Sequence, residues 1–200
     1  MHFVKGQLYH IYNQGNNRQD IFFNREHYLF FLKKMRTYVL PYCEIIAYCL
    51  MPNHFHLMVR VNSLLVPSSS DDSKSSDEFK TPRTFNQSIA IMLRSYTRAI
   101  NKERGFSGSL FRPKTKAECL TCLEGITPSF YNSKFSTMIH IDNPEDQYPQ
   151  ICFNYIHQNP VRARLVANET DWEYSSATDY VGMRNGTLVN KEVAREYVKY

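Results

Sequence analysis

One eight-residue segment limits this chain more than any other: His54-Phe55-His56-Leu57-Met58-Val59-Arg60-Val61. Its side chains alternate in character, and a period of two belongs to a β-strand with one buried face. Phe55, Leu57, Val59 and Val61 then point together into a core, and His54, His56, Met58 and Arg60 point the other way. Such a strand needs a sheet around it and a layer over its apolar side. Two imidazoles side by side on the polar face are either surface histidines or half of a divalent-metal site. The pair alone does not choose between them.

The flanking sequence supplies the sheet and the layer. Leu8 to Asn13 reads as a first strand, followed by a polar turn, Gln14-Gly15-Asn16-Asn17-Arg18. Arg25 to Val39 carries Tyr28, Leu29, Phe31, Leu32, Met35 and Val39 at helical spacing, and Pro41 stops it. Glu44 to Leu50 is a short apolar run that reads as a buried strand. Met51-Pro52-Asn53 joins it to the histidine strand as a hairpin. Residues 63–82 hold a Ser- and Asp-rich stretch with nothing apolar to bury, which predicts a flexible insertion. Phe85 to Arg104 is again an amphipathic helix, with Arg94, Arg98 and Lys102 as a stripe along a solvated face. Ser109 to Lys116 follows as a basic extended segment, in which Arg112, Lys114 and Lys116 share one face if it is a strand. Residues 119–142 show no period. Pro144 to Gln158 reads as a helix interrupted at Asn159-Pro160, and a C-terminal extension from about residue 164 carries Trp172 and Tyr174 as packing anchors. The order is βαββαβ. It predicts a single α+β domain over 1–200 with a ferredoxin-like (RRM-like) sheet, helices on one face and an additional helix behind it.

Composition removes some function classes. The hydrophobic fraction of 42% supports a sizeable core, and the net charge of +5 permits nucleic-acid binding without requiring it. The 14 Tyr residues, set among Arg and Lys, are candidate stacking surfaces for unpaired bases, whereas the 13 Phe residues are assigned to the core. Met1 to Gly6 lacks the apolar region of a signal peptide, and no run is long enough to span a membrane. Five cysteines without framework spacing fit a reduced cytosolic protein, and Cys119-x-x-Cys122 is read as incidental. The expected location is cytoplasmic, with the nucleoid. No G-x-x-x-x-G-K-[ST] loop is present, so no nucleotide cofactor is expected.

The last helix offers partners for the histidines. Tyr155 and Asn159 are four apart and share a helical face. An Asn carbonyl oxygen suits Mg²⁺ or Mn²⁺, and a phenol becomes a nucleophile when activated. Equally, Tyr155 could be a packing residue and Asn159 the N-cap of a short helix starting at Pro160. His157 lies about 200° around the helix from Tyr155, which suits a structural residue or a DNA contact better than a ligand. His10 and Met58 fall near the same place without an assigned role.

Several segments resemble the HUH-type single-tyrosine transposases, and most closely the REP-associated tyrosine transposases. They are Tyr9-His10-Ile11-Tyr12-Asn13-Gln14-Gly15-Asn16-Asn17, Tyr48-Cys49-Leu50-Met51-Pro52-Asn53-His54-Phe55-His56-Leu57, Gly108-Ser109-Leu110-Phe111-Arg112, Tyr155-Ile156-His157-Gln158-Asn159-Pro160-Val161-Arg162-Ala163 and Asp171-Trp172-Glu173-Tyr174-Ser175-Ser176. They occur in the family's order and span nearly the whole chain. Pro113 and Thr115 stand where the family often has Gln and Tyr nearby.

The resemblance implies a DNA transposase, an endonuclease and ligase of single-stranded DNA that nicks beside hairpins. Tyr155 would be the nucleophile and form a 5′-phosphotyrosine; His54, His56 and Asn159 would hold Mg²⁺ or Mn²⁺. Arg18, Arg94, Arg98, Arg112, Lys114 and Lys116 are candidate contacts to single-stranded or hairpin DNA. Either a monomer or a homodimer is compatible with the chain. Two other readings stay open: a hairpin-binding protein that does not cut, and a metal-dependent phosphodiesterase that uses water.

Overall fold

The computed structural model describes residues 1–67, 82–122 and 144–200. Its centre is a four-stranded antiparallel sheet built from β1 (Leu8–Gln14), β2 (Cys43–Met51), β3 (His54–Val61) and β6 (Lys116–Cys119), in the order β2-β3-β1-β6. The two-residue strands β4 (Leu65–Val66) and β5 (Arg83–Thr84) pair separately. They bracket the Ser-rich insertion, most of which lies outside the described residues. This is the α+β, ferredoxin-like sheet expected from the sequence.

Two long helices form where periodicity placed them. Helix α1 (Arg25–Tyr38) starts at Asn24, whose side chain accepts from the His27 N–H. Helix α2 (Phe85–Arg104) opens with a Thr84–Gln87 capping box and ends at Gly105, where φ is +67°. Both press apolar stripes onto one sheet face: Phe31, Met35, Ile89, Met92 and Tyr96 pack with Ile11, Phe55, Leu57 and Val59. Leu29, predicted on the inner stripe, is exposed instead.

The other face receives α3 (Pro144–Arg162). Cys152, Phe153 and Ile156 pack against Leu8, Ile46, Ala47 and Met58. A bulge between Ile45 and Ala47 shifts the parity of β2, so Ile45 and Tyr48 join the α1/α2 core while Ile46 and Ala47 join the α3 core. The helix does not break at Asn159 as the sequence suggested. It runs through Pro160 to Arg162, because proline at 160 forfeits only its own N–H bond one turn from the end. Asn159 is therefore a helical residue and not a cap.

Three further expectations need correction or refinement. The last sheet strand begins at Lys116, later than the basic segment suggested, since Pro113 has no N–H to offer a ladder. Residues before it touch the turn after β1 only locally, through Arg112 N to Gln14 O (2.9 Å) and Asn16 N to Leu110 O (2.9 Å). Cys119 and Cys122 are joined as a disulfide at the end of β6, so they are not incidental. The C-terminal extension lies along the outer edge of β2: Leu50 N donates to Tyr174 O, Ser176 N to Tyr48 O and Asn190 N to Ile45 O. That covers an edge which would otherwise offer unpaired backbone groups. Trp172 donates to Leu50 O, and Tyr174 stacks on Tyr28 at 3.7 Å, so both are anchors as expected. Among the described residues no helix is long and apolar enough to cross a membrane.

Candidate active site

β3 delivers His54 and His56 to the sheet face that α3 covers, and α3 brings Tyr155 and Asn159 over them. The chain thus assembles four side chains from segments about a hundred residues apart. The two histidine rings lie 4.9 Å apart at 83°, and the Tyr155 ring meets His56 edge-on at 5.4 Å. His54, His56 and Tyr155 line a cavity of about 380 Å³ together with Tyr12, Asn13, Gln14, Arg112, Lys114 and Lys116.

Hydrogen bonds fix how these groups face one another. The turn after β1 comes close to Asn53: Gly15 N donates to Asn53 O at 2.7 Å. A Cβ at Gly15 would stand 2.0 Å from Gln19 O, so the folding of this turn back on itself requires glycine. Asn53 Nδ2 donates to the Arg18 carbonyl at 3.2 Å, and this turns Asn53 Oδ1 toward His54 Nδ1, 2.6 Å away. An amide oxygen can only accept, so His54 carries its proton on Nδ1. On α3, Asn159 Nδ2 donates to Tyr155 O at 3.2 Å, and Asn159 Oδ1 faces His54 Nε2 at 3.4 Å. With His54 neutral, two lone pairs meet there with no proton between them.

Burial keeps the imidazoles neutral. It lowers the pKa of His54, against an opposing pull from Asn159, and lowers that of His56 well below the usual value, helped by His10 and His54 nearby. His10, fully buried on β1, is pushed down to about 3 by the same desolvation. His10 Nε2 and His56 Nδ1 are 2.9 Å apart. The far nitrogen of His56, Nε2, is buried without a hydrogen-bond partner among the described residues. A buried orphan of this kind calls for explanation. A cation held by His56 Nε2, His54 Nε2 and Asn159 Oδ1 would satisfy every one of these atoms, so the donor set fits one. It contains no carboxylate. Among the described residues no three His, Cys, Asp or Glu side chains gather around a common metal position.

The cations predicted from sequence divide into three groups. Arg112, Lys114 and Lys116 line the site cavity. Arg94 and Arg98 line a second cavity of about 530 Å³ with Asn101 and Phe111, and it shares Asn13 and Arg112 with the first. Among the described residues no carboxylate lines either one. Asn13 sits at the junction, where its amide donates to Arg112 O (3.2 Å) and Thr115 Oγ1 (2.9 Å) and pins the segment that Pro113 excludes from the ladder. Arg18 lines neither cavity; its contribution is the carbonyl that orients Asn53, presented from a left-handed backbone at φ +61°. His157 is buried and bonded to Ser176 Oγ at 2.7 Å, away from the cavity, which makes it a structural residue.

Sequence reasoning missed Asn13 and Arg162, whose guanidinium lies 5.4 Å over the Tyr155 ring. Arg162 is seven residues from Tyr155, two helical turns on the same face, so its spacing was a usable signal. Asn13 gave none, because its partners come from beyond residue 110.

No protein-family profile and no curated protein matches the chain. Among solved structures, it is similar to a REP-associated tyrosine transposase bound to a REP hairpin, with 19% identity, a TM-score of 0.53, and coverage of 95% of this chain and 86% of that one. At that identity the likeness is one of fold, and it places the chain's architecture beside that of a tyrosine transposase.

Proposed function

We propose that the protein cuts and rejoins single-stranded DNA beside hairpins, with Tyr155 as nucleophile and a divalent cation, Mg²⁺ or Mn²⁺, held by His54, His56 and Asn159. One observation carries this reading: a helix brings a tyrosine and an acceptor-oriented asparagine onto a half-buried and a buried histidine in a cavity rimmed by cations. The fold likeness to a transposase bound to a hairpin supports it.

The chain's own groups account for most of the chemistry. Lys114, Lys116 and Arg112 draw a phosphodiester into the cavity. The Tyr155 oxygen attacks phosphorus in line. An O–P bond forms to tyrosine, the bond to the 3′-oxygen breaks, the phenolic proton leaves to solvent and the departing oxygen takes a proton from water. The product is a 5′-phosphotyrosine and a free 3′-hydroxyl, and the reverse attack rejoins a strand without a nucleotide cofactor. When bound, the cation would polarise a non-bridging phosphoryl oxygen and offset negative charge in the transition state. Because the protein donors are all neutral, the phosphate would supply the negative charge that tightens the ion.

The test uses hairpin oligonucleotides with single-stranded flanks, taken from DNA beside the gene, with Mg²⁺ or Mn²⁺ and a denaturing gel. The expected result is a protein–DNA band that survives denaturation and falls at least roughly a thousand-fold in Tyr155→Phe. Cleavage that persists in Tyr155→Phe would mean water is the nucleophile. Tight binding with no adduct across a wide oligonucleotide set would make the protein a hairpin binder.

A further inference from the structure

We propose that His10 is a positioning residue: it accepts the Nδ1 proton of His56 and so keeps the His56 Nε2 lone pair available to the cavity. The inference rests on the reading of His54, His56 and Asn159 as a cation site.

His10 comes from β1, which pairs with β3 so that His10 stands opposite Met58 and Tyr12 opposite His56. The His10 ring is stacked between neighbours, 4.8 Å from Tyr12 and 5.1 Å from His56. It is 1% exposed, so water does not compete for its nitrogens. His10 Nε2 lies 2.9 Å from His56 Nδ1, and one proton must sit between them. Two arrangements are open to neutral rings. If His10 donates, His56 must carry its own proton on Nε2. That proton then points into a buried position that has no acceptor among the described residues, and it blocks a cation. If His56 donates, Nε2 is a bare lone pair and His10 carries its own proton on Nδ1, so burial does not choose between the two arrangements and the cation reading does. An isolated histidine side chain carries its proton mainly on Nε2, so His56 without an acceptor on Nδ1 would adopt the blocking form; the same preference would make His10 the donor, and the cation site is what selects the reverse. His54 meets the same need by another route, through Asn53 Oδ1 on its Nδ1. Each histidine thus has an acceptor on the nitrogen away from the cavity, which is the usual way a ligand imidazole is oriented.

The tautomer can be read without DNA or metal. Long-range ¹H–¹⁵N correlation spectra of the chelator-treated, histidine-labelled protein report which nitrogen of His56 is protonated. Wild type should show Nδ1–H. His10→Leu should move the proton to Nε2 and weaken binding of Co²⁺, an optical probe for nitrogen and oxygen ligands, by roughly 10–100-fold. His10→Gln, whose amide oxygen can accept the same proton, should restore most of both. A wild-type His56 protonated on Nε2 overturns the inference, and so does a His10→Leu protein whose His56 keeps Nδ1–H. If His10→Leu does not fold, the wild-type spectrum and His10→Gln still decide. A protein that shows Nδ1–H yet cleaves no hairpin would defeat the nuclease reading and leave this one standing.

Discussion

The two faces of the sheet solve different problems with the same strands. Against α1 and α2, the face is filled by rings and branched chains: Phe31, Phe55 and Tyr96 are all under 2% exposed and interlock edge-to-face or tilted. Even buried hydroxyls there are spent on structure: Tyr96 donates to Ile21 O at 2.6 Å and Ser88 to Tyr38 O at 2.7 Å. Against α3, only part of the face is apolar. The rest buries His10, His56 and Asn159 beside a cavity and leaves His56 Nε2 without a hydrogen bond among the described residues. One face maximises burial. The other carries polar groups that cost stability and are kept in place by hydrogen bonds from neighbouring turns.

Single substitutions should separate the faces. Phe31→Ala removes a fully buried ring from the α1/α2 side and should cost about 3–5 kcal/mol in urea unfolding. Any folded fraction should still form the tyrosine adduct. Tyr155→Phe should do the opposite, abolishing the adduct while changing stability by less than about 1 kcal/mol. If Tyr155→Phe unfolds the protein as Phe31→Ala does, the α3 face is a second core and the contrast between faces fails.

Acid should attack the α3 face first. Burial lowers the pKa values of His10, His54, His56 and His157, to about 3 for His10 and His157, whereas unfolded histidine titrates near 6.5. Between those values the unfolded chain binds more protons than the folded one. Stability is therefore full above pH 6.5 and is lost as pH falls below it, until the folded histidines themselves protonate, near 3 for His10 and His157. From pH 6.5 to 5 few carboxylates titrate, so the loss belongs to histidine. More than one proton is involved, and the urea-derived stability of chelated protein should fall by more than about 1.4 kcal/mol per pH unit, or about 2 kcal/mol over the window. A flat profile there would mean the rings are solvated in the folded state.

The two faces also differ in how far the sequence reveals them. The α1/α2 side was legible because burial there follows periods: two along β3, 3.6 along α1 and α2, with Pro41 and Gly105 marking where the helices end. The same periods placed His54 with His56 and Tyr155 with Asn159. They did not place the hydrogen bonds that give those residues their orientation. Asn53 acts on His54 only because Gly15 and Arg18 close against it, and His10 meets His56 only through the register of β1 on β3. Pro160 misled because its local effect, a broken helix, was overridden by the packing of Phe153 and Ile156 before it. The parity change at Ile45–Ala47 is likewise invisible in an all-apolar strand.

The smallest effect expected is at the groove that leads away from the site. Arg94 and Arg98 are exposed on α2, about one helical turn apart, beside a cavity that meets the one lined by His54, His56 and Tyr155 at Asn13 and Arg112. A phosphate chain leaving Tyr155 past Arg112 would run between them. Each contact to a single strand contributes about 0.7 to the slope of log affinity against log salt. Arg94→Ala should therefore weaken single-stranded oligonucleotide binding only a few-fold, equally for all sequences, and reduce that slope by about 0.7. Losing Arg98 as well should about double the change, while Lys33→Ala, on an exposed part of α1, should leave the slope alone. An unchanged slope in the double variant would confine DNA to the cavity lined by Arg112, Lys114 and Lys116. The α2 stripe would then be an ordinary solvated helix face, and the functional half of the molecule would end at Asn13.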